Sequence, residues 1–189
     1  MARISFGTGG WRAIIGDEFT RANVRLLAGA LARRIKDEGV AEQGLVIGYD
    51  RRFLSDVAAH WAAEVFAGEG VACQVISLEQ APTPLIMWTV KDQDLPYGMA
   101  ITASHNPALY NGIKVFTAGG KDADEEVTAD IEARMEALDG EPEAGIGLVP
   151  YPKAVERGLV EEINPFNGYI DSIIDQVDMK AIRDAGLKI

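Results

Sequence analysis

The sequence predicts an α/β fold, namely a three-layer α/β/α domain with a mixed central sheet, followed by the start of a second domain. Short apolar runs alternate with stretches of helical periodicity, which is typical of this class. The run Leu45–Tyr49 has no polar alternation, as expected of a strand covered on both faces. The run Ile113–Phe116 follows the preceding strand too closely for a helical crossover, so the sheet must contain an antiparallel strand.

The first domain is predicted over residues 1–140. Its strands are expected at Arg3–Phe6, Leu45–Tyr49, Val71–Ile76, Met99–Ala103 and Ile113–Phe116. Three of its helices are expected to be capped by Thr20, Ser55 and Thr83, because Ser and Thr side chains accept hydrogen bonds from unpaired N–H groups at helix starts. A further helix is expected at Asp124–Leu138, with one apolar face.

The remaining chain is divided into a connector and a truncated second domain. Residues 141–163 are rich in Gly and Pro and predict a connector, with one short strand around Gly147–Tyr151. Residues 164–189 begin with a helix signal and end on three strand-like residues, fewer than the usual strand of about five or six. The apolar face of that helix lacks a sheet to cover it, which favours a homodimer of this chain.

Composition and charge exclude several classes of protein. The chain has 189 residues, 48% of them hydrophobic, and no apolar run reaches the roughly 18 residues that a membrane span needs. Its net charge of −11 argues against nucleic acid and anionic membrane as partners. The single cysteine, Cys73, forbids an internal disulfide and favours a cytoplasmic location. Residues 121–189 hold 7 basic and 17 acidic side chains, so most of the negative charge lies outside the first two thirds.

Four segments with small residues beside charged ones follow or adjoin predicted strands. They are Gly7-Thr8-Gly9-Gly10-Trp11-Arg12, Asp50-Arg51-Arg52, Thr102-Ala103-Ser104-His105-Asn106-Pro107 and Asn111-Gly112-Ile113-Lys114. Glycine lets backbone N–H groups approach an anion, and the Arg fork matches phosphate oxygens. The glycine segment fits neither the dinucleotide fingerprint nor the Walker A pattern. The serine lacks the G-x-S-x-G pattern of hydrolases, and neighbours on an extended chain point apart, which disfavours a Ser104–His105 relay.

The four segments together resemble the α-D-phosphohexomutases, the family of phosphoglucomutase and phosphomannomutase. The serine segment is similar to that family's phosphoserine loop, and Tyr110–Val115 to the Y-N-G-x-K stretch after it. Phe6–Arg12 resembles the F-G-T-x-G-x-R segment, and Gly48–Ser55 the G-x-D-x-R-x-x-S segment. The matches occur in the family's order within residues 4–116. Gly9 and Ala13 are two small departures, and neither removes a charged group.

The resemblance implies a role for each matched residue. Ser104 would carry the phosphoryl group, passing it to a hexose phosphate and taking another back through a hexose 1,6-bisphosphate. Arg12 would steady the phosphate, while Lys114, ranked above His105, would move a proton or neutralise charge. The implied phosphate-binding or supporting residues are Thr8, Gly9, Gly10, Asn106, Arg52 and Asp50, the last two as an ion pair.

The family's further motifs do not occur in this sequence. These are the metal loop D-G-D-x-D-R, the sugar loop G-E-x-S-G and the phosphate loop R-x-S-G-T-E-P. The resemblance implies Mg²⁺ bound through phosphorylated Ser104, with the other ligands on further domains of the same polypeptide. We therefore expect this chain to be inactive alone. The alternatives are a sugar-phosphate-binding module without catalysis and, less favoured, a serine hydrolase; the preferred hexose is left open.

Overall fold

The computed structural model describes residues 4–7, 10–77, 80–139 and 145–186. Within these residues, the strands are β1 (Trp11–Ile14), β2 (Leu45–Tyr49), β3 (Cys73–Ile76), β4 (Tyr97–Ile101), β5 (Tyr110–Thr117), β6 (Lys121–Asp122) and β7 (Val160–Ile163). The helices are α1 (Arg21–Asp37), α2 (Ser55–Glu69), α3 (Thr83–Asp92), α4 (Glu125–Asp139), α5 (Tyr151–Glu156), α6 (Phe166–Ile174) and α7 (Met179–Asp184). None of these helices is long and apolar enough to cross a bilayer.

The strands listed above form one mixed sheet, as predicted. The order is β1-β5-β4-β2-β3-β7, with β6 paired to β5. Strands β4, β2, β3 and β7 run parallel, whereas β5 is antiparallel to both β4 and β1. The short connection between β4 and β5 allows only this antiparallel return, because a parallel partner needs a crossover of a dozen or more residues.

Helices cover both faces of the sheet, which confirms the three-layer architecture. On one face, α1, α2, α4 and α5 enclose the larger apolar core, and on the other face α3 encloses a smaller one. The predicted apolar face of α4 is buried, and in α1 the side chains of Val24, Leu27, Leu31 and Ile35 are buried along one face. Both faces of the parallel strands are therefore covered by helices and shielded from water, which explains the lack of polar alternation in β2.

Several predicted starts of elements are displaced in the structure. Residues 4–6 form no strand, and the first strand is β1, whose partner is β5. Thr20 caps α1 as predicted, with its Oγ1 3.3 Å from the N–H of Asn23. Ser55 and Thr83 are the first residues of their helices and not their caps. The Ser55 hydroxyl does not bind an N–H group of its helix, because it donates a hydrogen bond to the Asp50 carboxylate at 2.8 Å.

Part of the predicted connector belongs to the central sheet. The short strand expected around Gly147–Tyr151 is wrong, since residues 147–150 are irregular and α5 starts at Tyr151. Strand β7 pairs in parallel with β3 and places Val160 in the core. Glu69 holds the approach to α5 by accepting from the N–H of Gly147 at 2.7 Å. The segment thus folds back onto α2 and β3 before the chain continues to α6.

Helix α6 rests against α3 along one side only. The rings of Tyr169 and Trp88 have centroids 5.9 Å apart, and this contact joins α6 to the smaller core. Ile173 and Ile174, which the sequence places on the same apolar face, are exposed. The homodimer expected from this face stays a prediction.

His60 and Tyr151 connect α2 to α5. Their rings stack with centroids 3.8 Å apart, and the Tyr151 hydroxyl donates to Glu162 at 2.8 Å. Burial lowers the pKa of His60 below 6.5, against the opposing attraction of Asp56, Glu162 and Glu64. The neutral imidazole is therefore the form that the fold prefers.

We expect Val160→Ala to lower the free energy of unfolding by about 1–3 kcal/mol, because Val160 is 1% exposed and the change leaves a cavity. The matched control is Val177→Ala, since Val177 is 40% exposed and should change stability by less than about 0.5 kcal/mol. Urea titrations of both variants measure the difference. Equal effects would show that β7 is not part of the core in solution.

We expect stability to fall as the pH drops from above 6.5 toward the lower folded-state pKa of His60. In that window the unfolded chain binds a proton at His60 that the folded chain does not, so acid favours unfolding. His60→Gln should flatten this part of the stability profile, measured by urea titration at several pH values. An unchanged slope in the variant would contradict the preference for the neutral imidazole.

Candidate active site

The loop between β4 and β5 holds Ser104 in a left-handed backbone conformation. Its φ is 56°, a value that residues other than Gly, Asn and Asp seldom adopt. The N–H of Ser104 donates to Thr102 Oγ1 at 2.9 Å, and the N–H of Asn106 donates to the carbonyl of Ala103 at 3.1 Å. Ala103 is buried whereas Ser104 is exposed, so the serine hydroxyl stands at the tip of a loop whose base is fixed in the sheet.

Arg52 fixes this loop through its backbone. Its Nη1 donates to the carbonyls of Pro107 and Tyr110 at 3.0 and 3.1 Å. Its Nη2 donates to the carbonyls of Ser104 and Asn106 at 2.8 and 2.7 Å. Because four of its five N–H groups point at these carbonyls, Arg52 anchors the loop in this structure.

Asp50 accepts from the base of the loop and from the start of α2. Its Oδ2 lies 3.3 Å from Arg52 Nε, which is the ion pair that the sequence predicts. The same oxygen accepts from Thr102 Oγ1 at 2.7 Å, and Oδ1 accepts from the N–H of Arg52 at 2.9 Å and from Ser55 Oγ at 2.8 Å. Both carboxylate oxygens thus accept from the chain itself, so Asp50 supports the loop in this structure.

Arg12 reaches the loop from the neighbouring strand β1. Its Nη1 donates to Asn106 Oδ1 at 3.1 Å. In the sheet register Arg12 of β1 lies opposite Gly112 of β5, and Gly112 precedes Lys114 by two residues. Side chains two residues apart on a strand share a face, so Arg12 and Lys114 project from the same side of the sheet.

Lys114 runs past Gly10 toward β6. A Cβ at residue 10 would lie 2.9 Å from Lys114 Cγ and 2.7 Å from the carbonyl oxygen of Ile113, so only glycine leaves space here. Lys114 Nζ lies 3.1 Å from Asp122 Oδ1. A cavity of about 310 Å³ lies between Gly10, Asp122 and the start of α4. The segment around Gly10 therefore accommodates Lys114; Thr8 and Gly9 lie outside the described residues.

His105 lies beside the serine hydroxyl. The Nδ1 of His105 is 3.4 Å from Ser104 Oγ. The expectation that these neighbouring side chains point apart is wrong, because it assumed an extended chain, and the left-handed φ of Ser104 turns the two side chains to one side.

A surface cleft of about 510 Å³ opens next to Ser104. Its walls include Arg51, Arg52, Asn106 and Phe53, whose side chain is 71% exposed. The cleft is wide and open to solvent, and the charged residues Asp50, Arg51 and Arg52 are among those that line it, so it can admit a charged small molecule. Among the described residues no group of three or more His, Cys, Asp or Glu side chains is placed to hold a metal ion.

The model of one protein family matches most of the chain. The match covers residues 3–141 and is described as phosphoglucomutase/phosphomannomutase, alpha/beta/alpha domain I. The chain belongs to the phosphoglucomutase/phosphomannomutase family. The matched region contains the serine loop, Arg52 and Lys114, which are the residues that carry the resemblance in the sequence.

Individual members of this family are similar to the chain over most of its length. A phosphoglucosamine mutase of Mycolicibacterium gilvum is 34% identical over 84% of the chain and 36% of the relative. A phosphoglucomutase of Komagataeibacter xylinus is 29% identical over 99% of the chain and 35% of the relative. A crystal structure from Thermus thermophilus, assigned as a phosphomannomutase, is 31% identical with a TM-score of 0.81 over 95% of the chain and 37% of that structure. The chain therefore spans about a third of the length of these mutases.

The structure adds supporting residues to which the sequence analysis gave no role at the site. Ser55 and Thr102 donate to Asp50, and Asp122 pairs with Lys114. Ser55 lies inside the G-x-D-x-R-x-x-S segment that resembles the phosphohexomutases, so the signal for it was present. Asp122 lies in no such segment, and only the β5–β6 hairpin brings it to Lys114.

We expect Arg52→Lys to lower the free energy of unfolding by about 1–3 kcal/mol, because a lysine ammonium cannot reach the four loop carbonyls together. Arg51→Lys is the control, since Arg51 is exposed and should change stability by less than about 0.5 kcal/mol. Urea titration measures stability, and limited proteolysis should cut the loop between residues 104 and 109 faster in Arg52→Lys alone. Equal protection of the loop in both variants would contradict an anchoring role.

Proposed function

We propose that this chain is the phosphoserine-bearing part of a phosphohexomutase that moves a phosphoryl group between the 1- and 6-positions of a hexose phosphate. The observation that carries the proposal is the exposed Ser104 hydroxyl on a loop whose carbonyls are held by Arg52. Membership of a family of mutases supports the reaction class. The relatives are named for glucose and glucosamine, and the Thermus structure for mannose, so we specify the substrate only as a hexose phosphate.

Phosphoryl transfer from Ser104 exchanges one phosphorus–oxygen bond for another. The bond from phosphorus to Ser104 Oγ breaks while phosphorus bonds to a hydroxyl oxygen of the sugar phosphate, giving a hexose 1,6-bisphosphate. The hydroxyl loses its proton and Ser104 Oγ gains one. The second transfer reverses these changes at the other phosphate, which restores phosphorylated Ser104 and releases the isomeric product.

The proposal assigns different tasks to His105 and Lys114. His105 Nδ1 lies 3.4 Å from Ser104 Oγ, so we assign it the proton that serine gains and loses. Lys114 Nζ forms an ion pair with the Asp122 carboxylate, so in this structure it already faces an anionic group. We therefore assign Lys114 to neutralising the phosphoryl oxygens, with Arg12 steadying the phosphate from β1.

A phosphate on Ser104 would supply one ligand to the Mg²⁺ that the resemblance implies. The described residues contain no group of acidic or histidine side chains to complete such a site. Its other ligands, like the residues that select the sugar, would come from further domains of a longer polypeptide. The chain alone is accordingly expected to show no mutase turnover, and its cytoplasmic location stays a prediction.

We expect incubation of the chain with glucose 1,6-bisphosphate to add the mass of one phosphoryl group, measured by intact-protein mass spectrometry. Ser104→Ala should abolish the addition, because it removes the accepting oxygen. Ser172→Ala is the matched control, since Ser172 lies on α6 and donates to the carbonyl of Tyr169 at 2.7 Å.

Addition that persists in Ser104→Ala would place the phosphate on another residue and contradict the proposal. Reversible binding of glucose 1,6-bisphosphate without any covalent addition would favour the sugar-phosphate-binding module. Sustained conversion of glucose 1-phosphate by the chain alone would contradict the expected lack of turnover.

A further inference from the structure

The described residues bury very few polar side chains, and most of these lie under the serine loop. Within that part of the chain the buried polar side chains are those of Ser55, Thr89, Thr102 and Asn111. Thr89 donates to the carbonyl of Leu85 one turn earlier in its own helix. The other three form a continuous chain of hydrogen bonds with Asp50. A buried polar group destabilises the fold unless it is paired, so this concentration at one place indicates a specific task.

These groups form a closed ring, which we call the Asp50 ring: Asp50, Ser55, Asn111 and Thr102. Asn111 Nδ2 donates to Ser55 Oγ at 2.9 Å, and Ser55 Oγ donates to Asp50 Oδ1 at 2.8 Å. Thr102 Oγ1 donates to Asp50 Oδ2 at 2.7 Å. The backbone closes the ring, because the N–H of Thr102 donates to the carbonyl of Gly112 at 2.9 Å and the N–H of Gly112 donates to Asn111 Oδ1 at 2.8 Å.

Every hydrogen bond of the ring has only one possible direction. The N–H of Ser104 and the amide Nδ2 of Asn111 can only donate, and the Asp50 carboxylate can only accept. Each hydroxyl has one proton, so Thr102 and Ser55 accept from these donors and use their own O–H groups to donate hydrogen bonds to Asp50. The ring therefore has no alternative arrangement of equal energy. It fixes Thr102 Oγ1 as the acceptor to which the N–H of Ser104 is bound at 2.9 Å.

Hydrogen bonds from the base of the serine loop hold both backbone polar groups of Ser104, the N–H and the carbonyl. Its N–H is bound by Thr102 of the Asp50 ring, and its carbonyl is bound by Arg52, whose own N–H and Nε face Asp50. The left-handed φ of 56° is unfavourable for serine, so it needs this support to persist. Removing the support would allow the backbone to relax and would turn the hydroxyl away from His105.

We propose that Thr102, Ser55 and Asn111 are positioning residues that act through Asp50 to hold Ser104 in the left-handed conformation required for phosphoryl transfer. The inference rests on the proposed function of Ser104 as the phosphoryl carrier. None of the three touches the phosphoryl group. Their effect on the reaction passes through the backbone of Ser104 alone.

Thr102→Val tests the ring, because valine keeps the shape of threonine and removes the hydroxyl. We expect the amide of Ser104 to exchange with deuterium about tenfold faster, measured by NMR, since the N–H loses its acceptor. Phosphoryl uptake at Ser104 from glucose 1,6-bisphosphate should become about tenfold slower. Thr102→Ser restores a hydroxyl and should return both rates to within about twofold of the unaltered chain.

Thr89→Val is the matched control, because it removes a buried threonine hydroxyl on α3 without touching the loop. It should leave both the Ser104 amide and phosphoryl uptake unchanged. Ser55→Ala provides a second break in the ring and should act in the same direction as Thr102→Val. It also decides the matter if Thr102→Val does not fold.

Unchanged exchange of the Ser104 amide in Thr102→Val and Ser55→Ala would overturn the inference. Equal acceleration in Thr89→Val would also overturn it, since the ring would then contribute only to global stability. Faster exchange with unaltered phosphoryl uptake would refute the positioning role. If the unaltered chain takes up no phosphoryl group, the proposed function fails, and the exchange comparison alone decides whether the ring holds Ser104.

Discussion

The guanidinium of Arg52 is the interaction on which the candidate site depends. A loop of irregular backbone at the end of a sheet leaves carbonyl groups that no neighbouring strand can satisfy. Arg52 binds four of them with one rigid, planar fork. Its position is set in turn by Asp50 at the end of β2. The conformation of the serine loop therefore depends on Arg52 and Asp50, which follow β2, as well as on the residues of the loop itself.

The mixed sheet explains why such an arrangement is possible. Strand β5 returns antiparallel beside β4, so the start of β5 lies next to the end of β4 and close to the end of β2. This brings Asn111 under the loop, and it brings Arg12 from β1 to Asn106 on the other side. If β5 ran parallel to β4, its first residues would lie at the opposite end of the strands, away from the serine loop. The short loop requires β5 to run antiparallel to β4. The same arrangement brings to the loop the residues that support it.

Electrostatics at the site are local and differ from those of the whole chain. The net charge of −11 would repel a phosphate from an average surface. The groups that surround Ser104 are instead Arg12, Arg51, Arg52 and His105, while most acidic side chains lie after residue 120. Asp50 also lines the cleft, and its negative charge is offset by the guanidinium of Arg52, whose Nε lies 3.3 Å from Asp50 Oδ2. The pair of Asp50 and Arg52 therefore adds little net charge to the site.

The sequence by itself determined the α/β class, the mixed sheet, the main helices and the family motifs, because hydrophobic periodicity and short motifs are local properties. It did not predict β7, placed the first strand before β1, put the start of α2 one residue late, and did not show that Arg52 binds the carbonyls of the serine loop. Two of these depend on partners far along the chain: β7 on β3, and Arg52 on carbonyls more than fifty residues away. Ser55 instead depends on Asp50, which lies only five residues earlier but is held in place by the serine loop. Only the tertiary structure decided which polar groups meet, and hence that Ser104 is held left-handed beside His105. The physical reason is that a donor's role is fixed by the acceptors the fold brings within hydrogen-bond distance.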